Sequence, residues 1–450
     1  MRTGFYKAVL VLGDVAIFYA ALAGALLLRR PQLFSAEYYL AHAEVFTFVL
    51  PGCLIINSVL SLYNFRQIMD LSGIIGESLL AFFYNFLIAT VTFYFLGPGL
   101  PAPKTYLFLT LLISMVLGVY WRRLWMQVSS SRIFATKTLF LGRNALIDQV
   151  IADLKTHEYS RYRLITAEAL ERWQTAAKGK GLSELVDLIV VAADKDEVDE
   201  ASRHILANAV DGSIPVWTHV DFYEAMYKKV LPKSVPWLLI HVRQRKHTAY
   251  LMAKSVFDFM AAGLMLLVLL PFLPFVALAI KLTDGGSIFY SQTRVGHLKK
   301  EFRLWKFRTM RVDADKLGYL WNTEKGDPRI TAIGKLLRQF KVDELPQLWN
   351  VLNGDMSLVG PRPTWTGEKQ AWDMPDYPLR LLVKPGLTGW AQINASATDS
   401  EADTFEKLCY DLYYVKNVSF ALDLSILLKT VRRVFQSDKY LRDKRRQAVN

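Results

Sequence analysis

Four long apolar segments in the first quarter of the chain constrain its fold most strongly. Each is close to the roughly 20 residues that an α-helix needs to cross a bilayer. The connectors between the segments are short and rich in turn residues, such as Gly97-Pro98-Gly99. The segments are Ala8–Leu28, Val45–Tyr63, Leu79–Leu96 and Tyr106–Trp121. They predict a membrane protein whose residues 1–125 form an α-helical N-terminal bundle of four spans.

Charged and aromatic residues near the ends of these segments indicate how the bundle is placed. No small-residue cleavage site precedes Arg29-Arg30, so the first segment is interpreted as a retained helix rather than a signal peptide. Arg122, between Trp121 and Trp125, predicts an interfacial and cytoplasmic exit of the fourth span. Asp14 is the one clear carboxylate within a span, and it is expected either to pair inside the bundle or to lie near an interface.

The composition narrows the classes of ligand. The 450 residues carry a formal net charge of +13, and 52% of them are hydrophobic. This balance suits anionic lipid headgroups or phosphate-bearing substrates, and no recognisable motif points to nucleic acid. Cys53 and Cys409 are the two cysteines. They exclude a disulfide framework and a thiolate metal site, and they fit a reducing cytosolic face.

Residues 137–240 have the pattern of a soluble α/β, Rossmann-like domain. A strand at Thr138–Leu141 precedes a helix at Ala145–Leu154, and a buried parallel strand at Val186–Ala193 precedes a helix at Asp196–Ala209. The dinucleotide fingerprint is absent, because Gly142 stands alone where three glycines are needed. We therefore expect a structural or regulatory domain without an NAD(P) redox cofactor. The same absence weakens an alternative function as a nucleotide-sugar dehydratase.

A single apolar stretch, Phe259–Ile280, follows a basic linker and carries two prolines at its centre. Pro271 and Pro274 each remove a backbone donor and crowd the carbonyl four residues earlier, which predicts a sharp kink. These residues alone leave an ordinary kinked fifth span open. After Lys281 the chain is polar, basic and rich in motifs to about residue 436, and residues 437–450 form a charged tail.

The most informative motif is the run from Lys341 to Leu352, KVDELPQLWNVL. Its leucines fall at helical spacing, and Pro346 suits a first turn. This places Asp343 near the N-cap and Glu344 in the opening turn, where the helix dipole favours negative charge. On the local pattern alone, a capping role for these acids is favoured over a catalytic one.

The surroundings of the acidic pair favour phosphoryl transfer. Glycine and proline clusters lie beside cations, and such loops bind phosphate well because arginine offers a planar fork to its oxygens. The candidate phosphate-binding cations are Lys306, Arg308, Arg338 and Arg362. Arg338 follows Gly334, and the runs that carry the other three cations or extend the pattern are KFRTM at 306–310, GDPRIT at 326–331, GDMSLVGPRP at 354–363 and KPGLTGWAQIN at 384–394.

These ordered motifs give residues 247–436 a close resemblance to the catalytic region of the monotopic phosphoglycosyl transferases, the bacterial sugar transferases. The four spans and Rossmann-like domain ahead of it are similar to the long polyprenyl-phosphate hexose-1-phosphate transferases. The resemblance implies a mainly α-helical monotopic catalytic domain with a re-entrant membrane helix at about residues 256–281. Pro271 matches the break of that helix, with Pro274 reinforcing the bend, and Leu270 replaces the serine that many members carry.

The resemblance also implies roles for individual residues. Asp343 matches the catalytic nucleophile, and Glu344 completes a dyad that works with Mg²⁺, so both acids are candidate metal ligands. Arg338 and Arg362 match arginines implicated in phosphate handling. Asp423 matches a further carboxylate of the family and is taken as a substrate-site residue.

The implied reaction transfers hexose-1-phosphate from a UDP-sugar to polyprenyl (undecaprenyl) phosphate and releases UMP. It would start exopolysaccharide, capsule or O-antigen synthesis at the cytoplasmic face of the bacterial inner membrane. Glucose and galactose are the expected sugars, and an N-acetylated sugar stays open. Inner-membrane lipids, the polysaccharide assembly machinery and a second copy in a homodimer are the implied partners. The alternative is a non-enzymatic membrane scaffold that senses nucleotide or lipid.

Overall fold

The computed structural model describes most of the chain and divides it into two compact units, Met1–Lys228 and Lys229–Asn450. Each unit is described by itself below. The described residues are 2–63, 71–95, 104–130, 135–142, 144–156, 162–165, 182–192, 200–211, 214–232, 248–312, 314, 327–367, 369–374, 376–395 and 400–435. The predicted charged tail, 437–450, lies outside them, and the three-part domain division stays a prediction.

The first unit begins with five apolar helices. They are α1 (Arg2–Arg29), α2 (Ala36–Thr47), α3 (Leu50–Val59), α4 (Leu71–Phe95) and α5 (Lys104–Ser130). Helices α1, α4 and α5 are each long and apolar enough to cross a membrane. Their contacts bury a core that includes Phe18, Leu22 and Leu26 of α1 and Leu107 and Leu111 of α5. The helical bundle predicted for the N-terminal region is confirmed, although α4 and α5 extend beyond the predicted limits.

The second predicted span is not one continuous helix. Helices α2 and α3 are bent by 49° relative to each other, and together they meet the criteria for a broken span or a re-entrant loop. Pro51 lies in the first turn of α3. In a continuous helix its ring would crowd the carbonyl of Thr47, the last residue of α2, so the helix stops there and restarts.

The carboxylate of Asp14 pairs inside the bundle. Arg122 Nη2 of α5 lies 2.6 Å from Asp14 Oδ2, and the same oxygen accepts from Tyr63 Oη at 2.7 Å and Asn57 Nδ2 at 3.0 Å. The two charged side chains are buried. Arg122 is therefore buried against Asp14 in the bundle, and the interfacial, cytoplasmic exit predicted at this end of α5 stays a prediction.

Breaking this ion pair is expected to destabilise the bundle. Arg122→Met leaves the Asp14 charge buried without its cation, which costs about 3–5 kcal/mol, whereas replacing both partners by apolar residues can be nearly neutral. We expect the melting temperature of the detergent-solubilised protein to fall in Arg122→Met and to recover in Asp14→Leu/Arg122→Met. The exposed neighbour Arg123→Met is the matched control. Equal melting temperatures for the single and double variants would contradict this account.

The first unit also contains a four-stranded parallel sheet. Its strands are β1 (Thr136–Leu141), β2 (Tyr162–Ile165), β3 (Leu188–Val191) and β4 (Val216–Thr218). They are ordered β2-β1-β3-β4, with every neighbouring pair parallel. The helices of this region are α6 (Ala145–Thr156), α7 (Leu182–Leu185), α8 (Glu200–Asp211) and α9 (His219–Tyr227). The predicted parallel α/β arrangement is confirmed, and a Rossmann-like identity stays a prediction.

The second unit mixes helices with two small sheets, so a mainly helical description understates its strands. Its helices are α10 (Thr248–Leu269), α11 (Leu273–Asp284), α12 (Ala332–Gln339), α13 (Gln347–Leu352), α14 (Lys369–Trp372), α15 (Trp390–Asn394), α16 (Glu401–Asn417) and α17 (Phe420–Phe435). Its strands are β5 (Phe289–Val295), β6 (Glu301–Phe307), β7 (Ser357–Val359), β8 (Thr364–Trp365) and β9 (Gly386–Thr388). The antiparallel sheet is ordered β6-β5-β8, and β7 pairs in parallel with β9.

The apolar stretch at the start of this unit breaks where the prolines predict. Helix α10 ends at Leu269 and α11 begins at Leu273, so Pro271 lies in the break and Pro274 in the first turn of α11. Helix α10 meets the length and hydropathy criteria for a span. Both helices also pack on the body of the unit: Ala262 of α10 joins the core that contains Leu348 and Val351. Ile280 of α11 packs with Phe307 and Leu337.

Candidate active site

The acidic pair lies in a tight turn between α12 and α13. Val342–Glu344 form one turn of 3-10 helix, and Lys341 precedes them in the left-handed conformation with φ of 59°. Non-glycine residues adopt this conformation at some cost, and such backbone strain concentrates at functional sites. Helix α13 begins only at Gln347, and no side chain caps it. The predicted N-cap position of Asp343 is therefore wrong, because the 3-10 turn separates it from the helix.

Glu344 is held by two cations. Its Oε1 atom accepts from Lys306 Nζ at 3.0 Å and from Arg362 Nη2 at 3.1 Å. Burial raises the pKa of Glu344, but the charges of Lys306, Arg362 and Lys341 together lower it by more. The pKa of Glu344 therefore lies well below its ordinary value. Glu344 is therefore a firmly ionised carboxylate whose charge is already neutralised.

Asp343 has a contrasting environment. The residue is 7% exposed, and its Oδ1 atom has no hydrogen-bond partner among the described residues. Burial, followed by the charge of Glu344, raises the pKa of Asp343 despite the nearby cations Lys306 and Lys341. A poorly solvated carboxylate with a raised pKa is a better nucleophile than one held in ion pairs. Two adjacent acids with pKa values moved in opposite directions are a known basis for divided catalytic roles.

Three of the predicted cations lie around this pair. Lys306 and Arg362 contact Glu344 directly. Arg338 is half-buried on α12, where its Nε atom donates to Thr309 Oγ1 at 2.8 Å and its charge lowers the pKa of Asp343. The structure therefore brings Lys306, Arg338 and Arg362 together with the two acids.

The other two predicted site residues are engaged elsewhere in the second unit. Arg308 forms an ion pair with Asp284, the last residue of α11. Asp423 is buried, and its carboxylate accepts from Tyr250 Oη at 2.6 Å and Tyr414 Oη at 2.7 Å and pairs with Lys254 Nζ at 2.8 Å. These contacts join α10 to α17 and α16, and they give Asp423 a structural role. A role for either residue in substrate binding stays a prediction.

The glycines of the sequence motifs allow close backbone contacts that set the position of Arg362. Gly360 N donates to Thr388 O at 2.8 Å, and Gly386 N donates to Pro361 O at 2.9 Å. A Cβ atom on Gly360 would lie 2.2 Å from Lys384 O. The segments GDMSLVGPRP and KPGLTG are therefore hydrogen-bonded side by side along β7 and β9, and Arg362 lies directly after these contacts.

Asn350 is a positioning residue that the sequence motifs contain but do not single out. Its Nδ2 atom donates to Arg303 O at 2.7 Å, and its Oδ1 atom accepts from Trp305 N at 3.2 Å. These bonds fasten α13 to β6 next to Lys306, and so fix the distance between that lysine and the acidic turn. The local sequence around Asn350 predicts only a helix. Its role becomes visible in the fold, where it bonds to a carbonyl and an amide of β6.

The donor set around the acidic pair fits Mg²⁺. In the described part of the chain, no cluster of three or more His, Cys, Asp or Glu side chains could hold a metal ion. Magnesium in phosphoryl-transfer sites is usually held by one or two carboxylates together with substrate phosphates. Asp343 Oδ1, which is buried and has no hydrogen-bond partner within the described part of the chain, and the adjacent Glu344 supply such a set.

Comparison with known proteins identifies relatives of the second unit. The family model described as bacterial sugar transferase matches residues 249–437. The chain is 42% identical over 190 residues to the undecaprenyl-phosphate glucose phosphotransferase of Komagataeibacter xylinus, covering 41% of this chain and 36% of that protein. It is 41% identical over 189 residues to the UDP-glucose:undecaprenyl-phosphate glucose-1-phosphate transferase of Escherichia coli (strain K12), covering 40% of each.

The match to a shorter relative is nearly complete. The exopolysaccharide production protein PSS of Rhizobium leguminosarum bv. phaseoli is 44% identical over 188 residues, which are 40% of this chain and 94% of that protein. The longer relatives are covered over less than half of their length, and the residues that match the family model lie in the second unit. From residue 249 to residue 437, the chain belongs to the bacterial sugar transferase family.

Proposed function

We propose that this protein transfers hexose-1-phosphate from a UDP-sugar to undecaprenyl phosphate and releases UMP. The observation that carries the proposal is the contrast between the two adjacent acids. Asp343 is buried and no described residue bonds to its Oδ1 atom, whereas Glu344 is held by two cations. The relatives in Komagataeibacter xylinus and Escherichia coli bear names that describe glucose phosphate transfer to undecaprenyl phosphate. UDP-glucose is accordingly the first donor to test.

The reaction would proceed in two displacements. An oxygen of Asp343 attacks the sugar-bearing phosphorus of the donor, and the bond from that phosphorus to the bridging oxygen breaks, so that UMP leaves with this oxygen. An oxygen of undecaprenyl phosphate then attacks the same phosphorus, and the bond to Asp343 breaks. The products are undecaprenyl-diphosphate-hexose and the regenerated carboxylate.

The surrounding cations would stabilise charge on the transferred group. Arg362 is 51% exposed on its side chain, so its guanidinium can reach an incoming phosphate while it stays beside Glu344. Lys306 keeps Glu344 ionised, and Arg338 contributes positive charge beside Asp343. Mg²⁺, held by Asp343 and Glu344, would supply neutralising charge for the diphosphate.

A UMP-release assay separates this enzyme from a non-enzymatic scaffold. Purified protein in detergent is given Mg²⁺ and UDP-glucose, UDP-galactose or an N-acetylated UDP-sugar, with or without undecaprenyl phosphate. We expect continuous UMP release with the acceptor and at most one UMP per protein molecule without it. A scaffold would bind these ligands without releasing UMP from any of the donors.

The pair α10 and α11 is proposed to enter and leave the membrane on the cytoplasmic face, where nucleotide sugars are found. Both helices expose large apolar side chains and both pack on the same catalytic body, which supports a re-entrant arrangement. Four preceding spans, with the bent pair α2 and α3 counted as one span, would also leave the chain on that face. Placement in the inner membrane, a homodimer and contacts with the assembly machinery stay predictions.

Cysteine labelling on both sides of this helix pair tests its topology. Ala249 lies in the first turn of α10 and Lys299 lies after α11, and both residues are exposed. Each is replaced by Cys in a background with Cys53→Ala and Cys409→Ala. We expect a membrane-impermeant maleimide to label both positions only after the inner membrane is opened. Labelling of Lys299→Cys but not Ala249→Cys in intact cells would mean that the segment spans the membrane.

A further inference from the structure

We propose that Arg380, together with Asp411, is a positioning residue for Arg362 in the transfer reaction. The inference rests on the proposed function. Arg380 lies in the 3-10 helix Tyr377–Leu382, and Asp411 lies on α16. Neither belongs to a motif that the sequence singles out.

Arg380 bridges several groups with one planar fork. Its Nη2 atom donates to Arg362 O at 2.9 Å and lies 2.7 Å from Asp411 Oδ2. Its Nη1 atom donates to Thr364 Oγ1 at 3.0 Å and to the hydroxyl of Tyr377. An arginine can serve these acceptors together because its donors are fixed in one plane, whereas a lysine presents a single ammonium group.

The segment that carries Arg362 is clamped at three consecutive carbonyls. Pro361 O accepts from Gly386 N at 2.9 Å, Arg362 O accepts from Arg380 Nη2 at 2.9 Å, and Pro363 O accepts from Arg294 Nη1 at 3.5 Å. The three donors come from different parts of the unit. The backbone at Arg362 is therefore fixed, although its side chain is half exposed.

Burial of the ion pair supports a positioning role. Arg380 is 8% exposed and Asp411 is 2% exposed. A buried ion pair is weak evidence for stability, because desolvation of the two charges can exceed their attraction. What this pair offers beyond an apolar contact is orientation: Asp411 aligns the guanidinium, and the guanidinium holds the backbone of Arg362. That backbone sets where the Arg362 side chain meets Glu344, at 3.1 Å.

A double-mutant cycle tests the proposal. Arg380→Lys keeps the charge opposite Asp411 but loses the fork, and we expect kcat/KM for the UDP-sugar to fall about 10-fold to 100-fold, as for a misplaced binding group. If Arg380 acts through Arg362, then adding Arg380→Lys to Arg362→Gln should cause little further loss. Independent, multiplicative losses in the double variant would overturn the proposal.

Controls separate positioning from folding. Lys229→Gln breaks another ion pair to α16, Lys229–Glu406 at 2.6 Å, and should leave the kinetic constants unchanged. Asp411→Asn keeps the size of the side chain and should reproduce the loss seen in Arg380→Lys.

If Arg380→Lys unfolds, Thr364→Val tests the same network, because it removes one acceptor of the Arg380 guanidinium. We expect Thr364→Val to give a smaller loss that again disappears in the Arg362→Gln background. Failure of the wild-type protein to release UMP would refute the proposed function, whereas an active wild type with a multiplicative cycle would refute the positioning role alone.

Discussion

Asp343→Asn is expected to abolish sugar-phosphate transfer and, at neutral pH, to raise the thermal stability of the protein. Loss of a nucleophile typically lowers the rate by about 10⁴-fold or more. The gain in stability follows from the environment of the carboxylate, which is buried, lies beside Glu344 and has a pKa above its ordinary value. The folded state then holds the proton more tightly than the unfolded state, so ionised Asp343 destabilises the fold. Removing the charge should therefore raise the melting temperature.

The pH dependence of this gain has a definite sign. The stabilisation by Asp343→Asn should be fully present above the raised pKa of Asp343 and should shrink as the pH falls towards the ordinary value of an aspartate. Melting temperatures of the wild type and the variant across this range, together with UMP-release rates, are the measurements. An active variant with wild-type stability would mean that Asp343 is not the nucleophile and that its buried charge does not destabilise the fold.

Glu344→Gln is expected to lose activity as well, but with the opposite effect on stability. The carboxylate of Glu344 neutralises Lys306 and Arg362, and the amide would leave two cations without their anion. Because Arg362 is half exposed, the cost should be about 1–2 kcal/mol, less than for a fully buried pair. The pKa of Glu344 is lowered in the folded protein, so its contribution is present above the ordinary pKa of a glutamate and is lost as the pH falls through the lowered value.

The comparison of the two variants carries more information than either alone. Both remove one negative charge from adjacent residues of one turn, so a general effect of net charge would move their melting temperatures in the same direction. The account predicts a rise for Asp343→Asn and a fall for Glu344→Gln. A fall of similar size in both would show that the two acids share one environment.

Local sequence patterns predicted the helices and strands of this protein better than the tertiary contacts between them. The apolar segments predicted the helical bundle, and the prolines predicted the break between α10 and α11, because both depend on nearby residues. The bend between α2 and α3 follows from Pro51, a signal that the hydropathy of the segment conceals. The capping role of Asp343 failed because the chain makes a 3-10 turn before the helix begins.

Long-range pairing explains why the site could be predicted only in part. Asp14 and Arg122 lie 108 residues apart, so local patterns do not predict that Arg122 is buried against Asp14. Arg308 sits in the same motif as Lys306, yet it pairs with Asp284 while Lys306 pairs with Glu344. The links from Arg380 to Arg362 and Asp411 likewise depend on tertiary contacts between separate segments.

The most direct test of the central claim is to trap the proposed phosphosugar on the enzyme. Purified protein is incubated with Mg²⁺ and a UDP-sugar labelled in the sugar-bearing phosphate, without lipid acceptor, and is then digested and analysed by mass spectrometry. The account predicts a label on Asp343 that undecaprenyl phosphate removes and that Asp343→Asn does not acquire. An active enzyme that never carries the label, and whose kinetics require donor and acceptor to be bound together, would contradict it.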